Sequence, residues 1–361
     1  MTSKRDKRIK IYVAISVFLS IIMIVLLLYF TVDRETIDYL MNTPIRYEFF
    51  IIAVLLQVIT WVIWGARLKV LSNAIGEHPP ISLWEATKIV MANMFLAGIT
   101  PSMAGGEPIR IYLLNKDGVS VGAATASVLG ERLLDAFVIL GCVPLAFLVF
   151  QQHLSSQILR LGLTIGVLIF LIAILLFFLA IKYPDKTKAI LIFISRKINR
   201  FRKKDDGISF SIIERINREV DTFHKCIKFF LSTGRKPFLI GGFLTVIYWS
   251  TAFMIPSMIL LGLHLPPHFI ASYAAQVLLI VIIMMPTTPG SAGVGEGSIA
   301  ALYTVLIGST LIGVFVLIFR FITFHLNMII GAVFQYRMLR SVTSISMEDI
   351  KKQERILDEE P

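Results

Sequence analysis

The sequence predicts an all-α, polytopic integral membrane protein with six full transmembrane helices and two re-entrant broken hairpins, arranged as an inverted repeat. Three observations predict this fold. The 361 residues are 56% hydrophobic and only 16% charged, whereas an average soluble domain carries about 25% charged residues. Uncharged apolar runs recur at the length that crosses a hydrocarbon core of about 30 Å. A helix-breaking motif, Thr-Pro then Ala-Gly then Glu, occurs twice. The composition excludes a disordered chain, a disulfide scaffold, a coiled coil and an ordinary water-soluble enzyme.

Taken in order, residues 1–10 form a basic, cytoplasmic N-terminus containing Lys4, Arg5, Lys7, Arg8 and Lys10. The first membrane repeat covers 11–150. It opens with Ile11–Phe30, a run too long for a signal peptide and followed by no small-residue cleavage site, so it reads as an uncleaved first helix. Phe49–Ala66 is the second span. A hairpin over 82–115 follows, broken at Thr100-Pro101-Ser102-Met103-Ala104-Gly105-Gly106-Glu107, because Pro and Gly at that density end helices. Leu133–Phe150 is the third span and begins near Ser120, which places Glu131, Arg132 and Asp135 within it.

The second repeat covers 151–335. Leu161–Ile181 is the fourth span, and the basic loop 182–236 follows it. Within that loop Ile213, Ile216, Val220, Phe223, Ile227 and Phe230 recur at spacings of three and four, one face of a helix. That helix lies on the inner leaflet or packs against the membrane domain; the sequence favours neither. Phe238–Leu261 is the fifth span. A second hairpin over 269–307 breaks at Pro286–Gly297, and Ser309–Phe334 is the sixth span. Residues 336–361 form a polar cytoplasmic tail. With hairpins rather than full crossings, 30 Lys and Arg fall on the inner side and three on the outer, as the positive-inside rule demands. This gives a multi-pass protein of the cell membrane with both termini cytoplasmic. The net charge of +11 is therefore a topology signal rather than a nucleic-acid footprint.

The repeat carries the functional reading. Arg132 and Arg320 are 188 positions apart and are the two basic residues left inside the membrane. The same offset carries the second span onto the fifth and nearly superposes Glu107 on Glu296. Inverted repeats with broken helices in matching positions point to a substrate site near the midplane. Backbone N–H groups after each Gly-rich turn favour an anion, and a buried arginine stays protonated and grips phosphate with two prongs. The expected substrate-binding residues are Arg132, Arg320, Glu107, Glu296, Thr100, Gly105, Gly106, Thr288, Gly293 and Gly295, with Glu131 and Asp135 as supporting charge. The same pairs also read as purely structural neutralisation of buried charge.

Other motifs carry less. Gly290–Gly297 lacks the Gly-Lys-Ser/Thr of a P-loop. His264 and His268 are separated by Pro266-Pro267, which breaks any shared helix. His325 and Asn327 read as interhelical hydrogen-bonding groups. No catalytic residue, metal site or cofactor is expected.

Phe95–Leu114 with Glu131–Asp135, and Met285–Tyr303 with Arg320, resemble the membrane family named after the transmembrane, flippase-like region of lysylphosphatidylglycerol synthases. The resemblance spans Lys7 to Arg340. It implies a multi-pass protein that moves or handles anionic lipids; the soluble aminoacyl-transfer domain of the synthase is missing, so lysyl transfer is not implied. The expectation is a flippase for an anionic, phosphate-bearing lipid of phospholipid or polyprenyl-phosphate type, with membrane lipids as partners, no nucleic acid, and a homo-oligomer compatible with the fold. The alternatives are a secondary transporter of a small anion, and an accessory protein or transferase in polyprenyl-phosphate glycan assembly.

Overall fold

The structure, a computed structural model, describes residues 34–75, 79–100, 106–151, 234–283 and 291–338, with scattered residues in 25–29 and 168–232. The expected first span Ile11–Phe30, most of the fourth span Leu161–Ile181, the N-terminus 1–10 and the tail beyond 338 lie outside the described residues, as do Gly105 and Thr288. Every described element is helical: α1 (Arg34–Asn42), α2 (Tyr47–Asn73), α3 (Leu83–Ile99), α4 (Gly106–Lys116), α5 (Val121–Phe150), α6 (Arg235–Gly262), α7 (Phe269–Ile283), α8 (Val294–Ile307) and α9 (Ile312–Met338).

Four helices are long and apolar enough to cross a membrane: α2, α5, α6 and α9, of 27, 30, 28 and 27 residues. At about 1.5 Å per residue each exceeds a ~30 Å core. Their outer faces stay apolar. Ile51, Leu55, Val58, Leu239 and Phe243 are exposed, a surface suited to lipid rather than water. Three shorter helices, α4, α7 and α8, have 11, 15 and 14 residues, fewer than the ~17 that a span needs.

The short helices form two helix–break–helix units. Ser82 starts α3 with a capping box: its hydroxyl accepts from Glu85 N at 3.2 Å and Glu85 Oε2 accepts from Ser82 N at 2.9 Å. Those bonds hold the exposed Glu85 carboxyl below its usual 4.5. After the break, α4 folds back on α3 so closely that a Cβ on Gly106 would lie 2.0 Å from Asn93 Oδ1; only glycine fits there. α8 folds back on α7 in the same way. The Tyr303 hydroxyl lies 2.8 Å from Ser272 Oγ and accepts from Gln276 Nε2 at 2.9 Å, while its ring rests on Phe315.

The helices repeat in space as well as in sequence. The 188-residue offset carries Tyr47–Asn73 onto 235–261, against α6 at Arg235–Gly262, and carries α4 onto the start of α8 at Val294. α2 and α6 run antiparallel. Arg46 N donates to Gly262 O at 3.1 Å at one end, and Leu71 packs at Gly241 at the other. A two-fold axis relating them therefore lies across the helices, not along them. The shorter helices cross over between the repeats. α3 lies on α9, where Gly331 admits the backbone of Met91 and Phe95, and α7 lies on α5.

Of the six apolar positions of the amphipathic segment in the basic loop, Ile213, Val220 and Phe230 are described, and Phe230 shows how the segment is held. Phe230 is 1% exposed, fills the space left by Gly130 of α5 and stacks on Phe238. At this residue the segment packs against the membrane domain.

Candidate functional site

Two Glu–Arg pairs sit where the broken helices resume. On α4, Glu107 Oε1 accepts from Arg132 Nε of α5 at 2.7 Å. On α8, Glu296 Oε1 accepts from Arg320 Nε of α9 at 2.9 Å. The same atoms make the same bond in both repeats. Their surroundings differ. Arg132 and Glu107 are 38% and 36% exposed along their side chains, whereas Arg320 and Glu296 are 5% and 0%.

The second pair is locked from three sides. Glu296 Oε2 turns back to accept from Gly293 N at 2.7 Å, and Gly293 holds φ +85°, a conformation open to glycine. Gly295 brings its backbone beside Arg320: a Cβ there would lie 3.6 Å from Nη1. The Arg320 guanidinium lies 4.0 Å over the Phe324 ring. This contact falls in a π-helical turn, Phe321–His325, that interrupts α9 directly after Arg320; His325 Nδ1 is 3.2 Å from Arg320 O. Such π-turns recur at functional sites. Thr100 uses its hydroxyl on its own helix, donating to Leu96 O at 2.8 Å.

The structure corrects one expectation. Arg132 and Arg320 are not the only basic groups inside: Arg67 and Arg110 are 1% and 0% exposed. The apolar run ends at Ala66, but its helix continues to Asn73 and carries Arg67 inward. The supporting carboxylates serve these arginines. Glu131 Oε1 accepts from Arg67 Nε at 3.1 Å, and its Oε2 accepts from Arg110 Nη1. Asp135 Oδ1 accepts from Arg67 Nη1 at 2.5 Å and from Trp249 Nε1 at 3.0 Å, while its Oδ2 lies 3.8 Å from Arg132 Nη1. Arg67 also donates to Thr245 at 3.2 Å and lies over the Tyr248 ring.

This cluster belongs to one repeat alone. The second repeat has Ile255, Phe319 and Thr323 where the first has Arg67, Glu131 and Asp135, and Ile299, three residues after Glu296, where the first has Arg110. The tryptophans, by contrast, keep the symmetry. Trp249, the counterpart of Trp61, reaches Asp135 of the first repeat. Trp61 reaches Asn327 of the second at 2.9 Å, beside Gln57 at 3.1 Å, so Asn327 bonds between helices as expected. Among the described residues no group of three or more His, Cys, Asp or Glu side chains could hold a metal ion.

The fold and these charge pairs define an all-helical, multi-pass membrane protein with an internal repeat in its sequence. The chain belongs to the lysylphosphatidylglycerol synthase TM region family, which it matches over residues 13–331. It is 35% identical to a UPF0104 membrane protein of Archaeoglobus fulgidus over 81% of this chain and 87% of that one. A UPF0104 membrane protein of Methanothermobacter thermautotrophicus is 28% identical over 69% of this chain and 72% of its own. No solved structure matches the chain.

Proposed function

We propose that the protein moves a phosphate-bearing anionic lipid between membrane leaflets, with the head group at the two broken hairpins and the acyl or prenyl tails in the bilayer. In this reading the chain has six spans and two re-entrant hairpins, divided into repeats at 11–150 and 151–335, in the cell membrane with both termini cytoplasmic. Arg132 and Arg320 bind the head group, Glu107 and Glu296 hold them in place, and Thr100, Gly105, Gly106, Thr288, Gly293 and Gly295 complete the substrate-binding set. The observation that carries the reading is the matched Nε-to-Oε1 bond at the two breaks, in halves whose equivalent helices run antiparallel. Buried arginines at broken helices suit an anionic substrate, and the apolar outer faces suit one whose tails stay in lipid.

The test is lipid flipping in proteoliposomes. Loss of transport in both Arg132→Ala and Arg320→Ala, with folding retained, is the expected result; unchanged transport in both refutes the site. Uptake of a water-soluble anion without lipid flipping replaces this reading with a small-anion transporter.

A further inference from the structure

We infer that Arg110 and Trp64 form a second, enclosed oxyanion site, present in the first repeat only, that takes a phosphate group from a lipid head group or from free phosphate. The inference deepens the proposed function and rests on it for the choice of phosphate as the anion.

The Arg110 side chain is fully buried, and its one hydrogen-bonded nitrogen is Nη1, held by Glu131. Nε and Nη2 are buried and have no hydrogen-bond partner. Those two nitrogens make up one edge of the guanidinium, and their N–H bonds run parallel. That edge is the fork that grips two oxygens of a phosphate or carboxylate, and it faces away from Nη1. The Trp64 ring lies 5.4 Å from the Arg110 guanidinium, and its Nε1 is a third buried donor without a partner. Buried donors are nearly always satisfied, and one left unmade is costly. The paired Nε and Nη2 donors, with no hydrogen-bond acceptor among the described residues, match an anion with at least two oxygens.

Charge and position agree with this. Glu131 is shared with Arg67, so its charge is not devoted to Arg110. Glu107 stands one turn before Arg110 on α4, so the partly exposed Glu107–Arg132 pair neighbours the enclosed fork. The second repeat has Ile299 and Ala252 at the matching positions and cannot form this site.

The experiment is calorimetric titration of the full chain in detergent with dioctanoyl phosphatidylglycerol and, separately, inorganic phosphate, using dioctanoylglycerol as the uncharged control. Arg110→Lys keeps the charge and the Glu131 partner but removes the fork; the expected weakening is about tenfold or more. Trp64→Phe keeps the ring and removes the donor, with an expected weakening of about fivefold; it decides the matter if Arg110→Lys does not fold. Binding of the lipid alone assigns the site to a head group, and binding of both probes assigns it to the bare phosphate; either supports the inference. No binding of either probe to the unsubstituted protein, or unchanged affinity in the folded variants, overturns it. Flipping that depends on Arg132 and Arg320 while Arg110→Lys binds normally defeats this inference alone. Binding lost in Arg110→Lys while Arg132→Ala and Arg320→Ala still flip lipid defeats the transport site alone.

Discussion

Glu131 is the most informative residue to neutralise. Glu131→Gln preserves shape but removes the charge shared by two guanidiniums. The side chain is 0% exposed, with Arg67 at 2% and Arg110 at 1%, so neither water nor salt screens the loss. Arg67 retains Asp135; Arg110 retains no carboxylate within ion-pairing distance among the described residues. Removing one partner of a buried ion pair costs about 3–5 kcal/mol. A loss of at least ~3 kcal/mol, more than a hundredfold in the unfolding equilibrium, is expected here. The second repeat supplies the control, because it fills the same positions with Ile255, Ile299 and Phe319 and carries no charge there. A triple variant, Arg67→Met, Arg110→Met and Glu131→Met, should recover most of the loss, since well-packed apolar groups often replace buried ion networks without penalty. Stability is read from denaturant unfolding in mixed micelles, followed by tryptophan fluorescence. A Glu131→Gln variant within 0.5 kcal/mol of the parent refutes the argument that this cluster is sealed from solvent.

Gly106→Ala should destabilise the first hairpin by about 1–3 kcal/mol through overpacking, and Asn93→Ala in the same chain should relieve it; thermal unfolding checks both. Gly293→Ala should cost about 1–2 kcal/mol because an L-residue resists positive φ, whereas Gly297→Ala, with nothing within 4 Å of the added carbon, should be neutral or slightly stabilising. Glu85 gives a pH prediction with a defined sign. Its carboxyl is held below 4.5 in the folded state, so the capping contribution is fully present above the unfolded value and disappears as pH falls through the lowered one. Hydrogen exchange at the start of α3 should speed up across that window, and Ser82→Ala should abolish the pH response while costing about 1 kcal/mol.

Much of this was legible in the residues. The helix breaks were readable because Pro and Gly interrupt apolar runs that would otherwise continue; the helices resume at Gly106 and Val294, three to four residues before the short runs Ile109–Leu114 and Ser298–Ile307 that mark them in the sequence. The pairing of Glu107 with Arg132 and of Glu296 with Arg320 was readable because a charge in an apolar run demands an opposite one. Arg67 and Arg110 were missed because each lies at the edge of an apolar run, where basic residues ordinarily face water, and because their partner Glu131 is 64 and 21 positions away. A signal was present. Glu107, Glu131, Asp135 and Glu296 outnumber Arg132 and Arg320, and a balanced interior requires two more cations. The π-turn after Arg320 left no such trace, since apolar periodicity continues through it.

The exchange of tryptophans between the repeats bears on how the protein is made. The charge cluster of the first repeat is completed by Thr245, Tyr248 and Trp249, all of which leave the ribosome about a hundred residues after Asp135. Until they arrive, Asp135 of the nascent first half keeps Arg67 but lacks its Trp249 donor, and α5 lacks its α7 neighbour. The first repeat therefore reaches its final hydrogen bonding only after the second has been made.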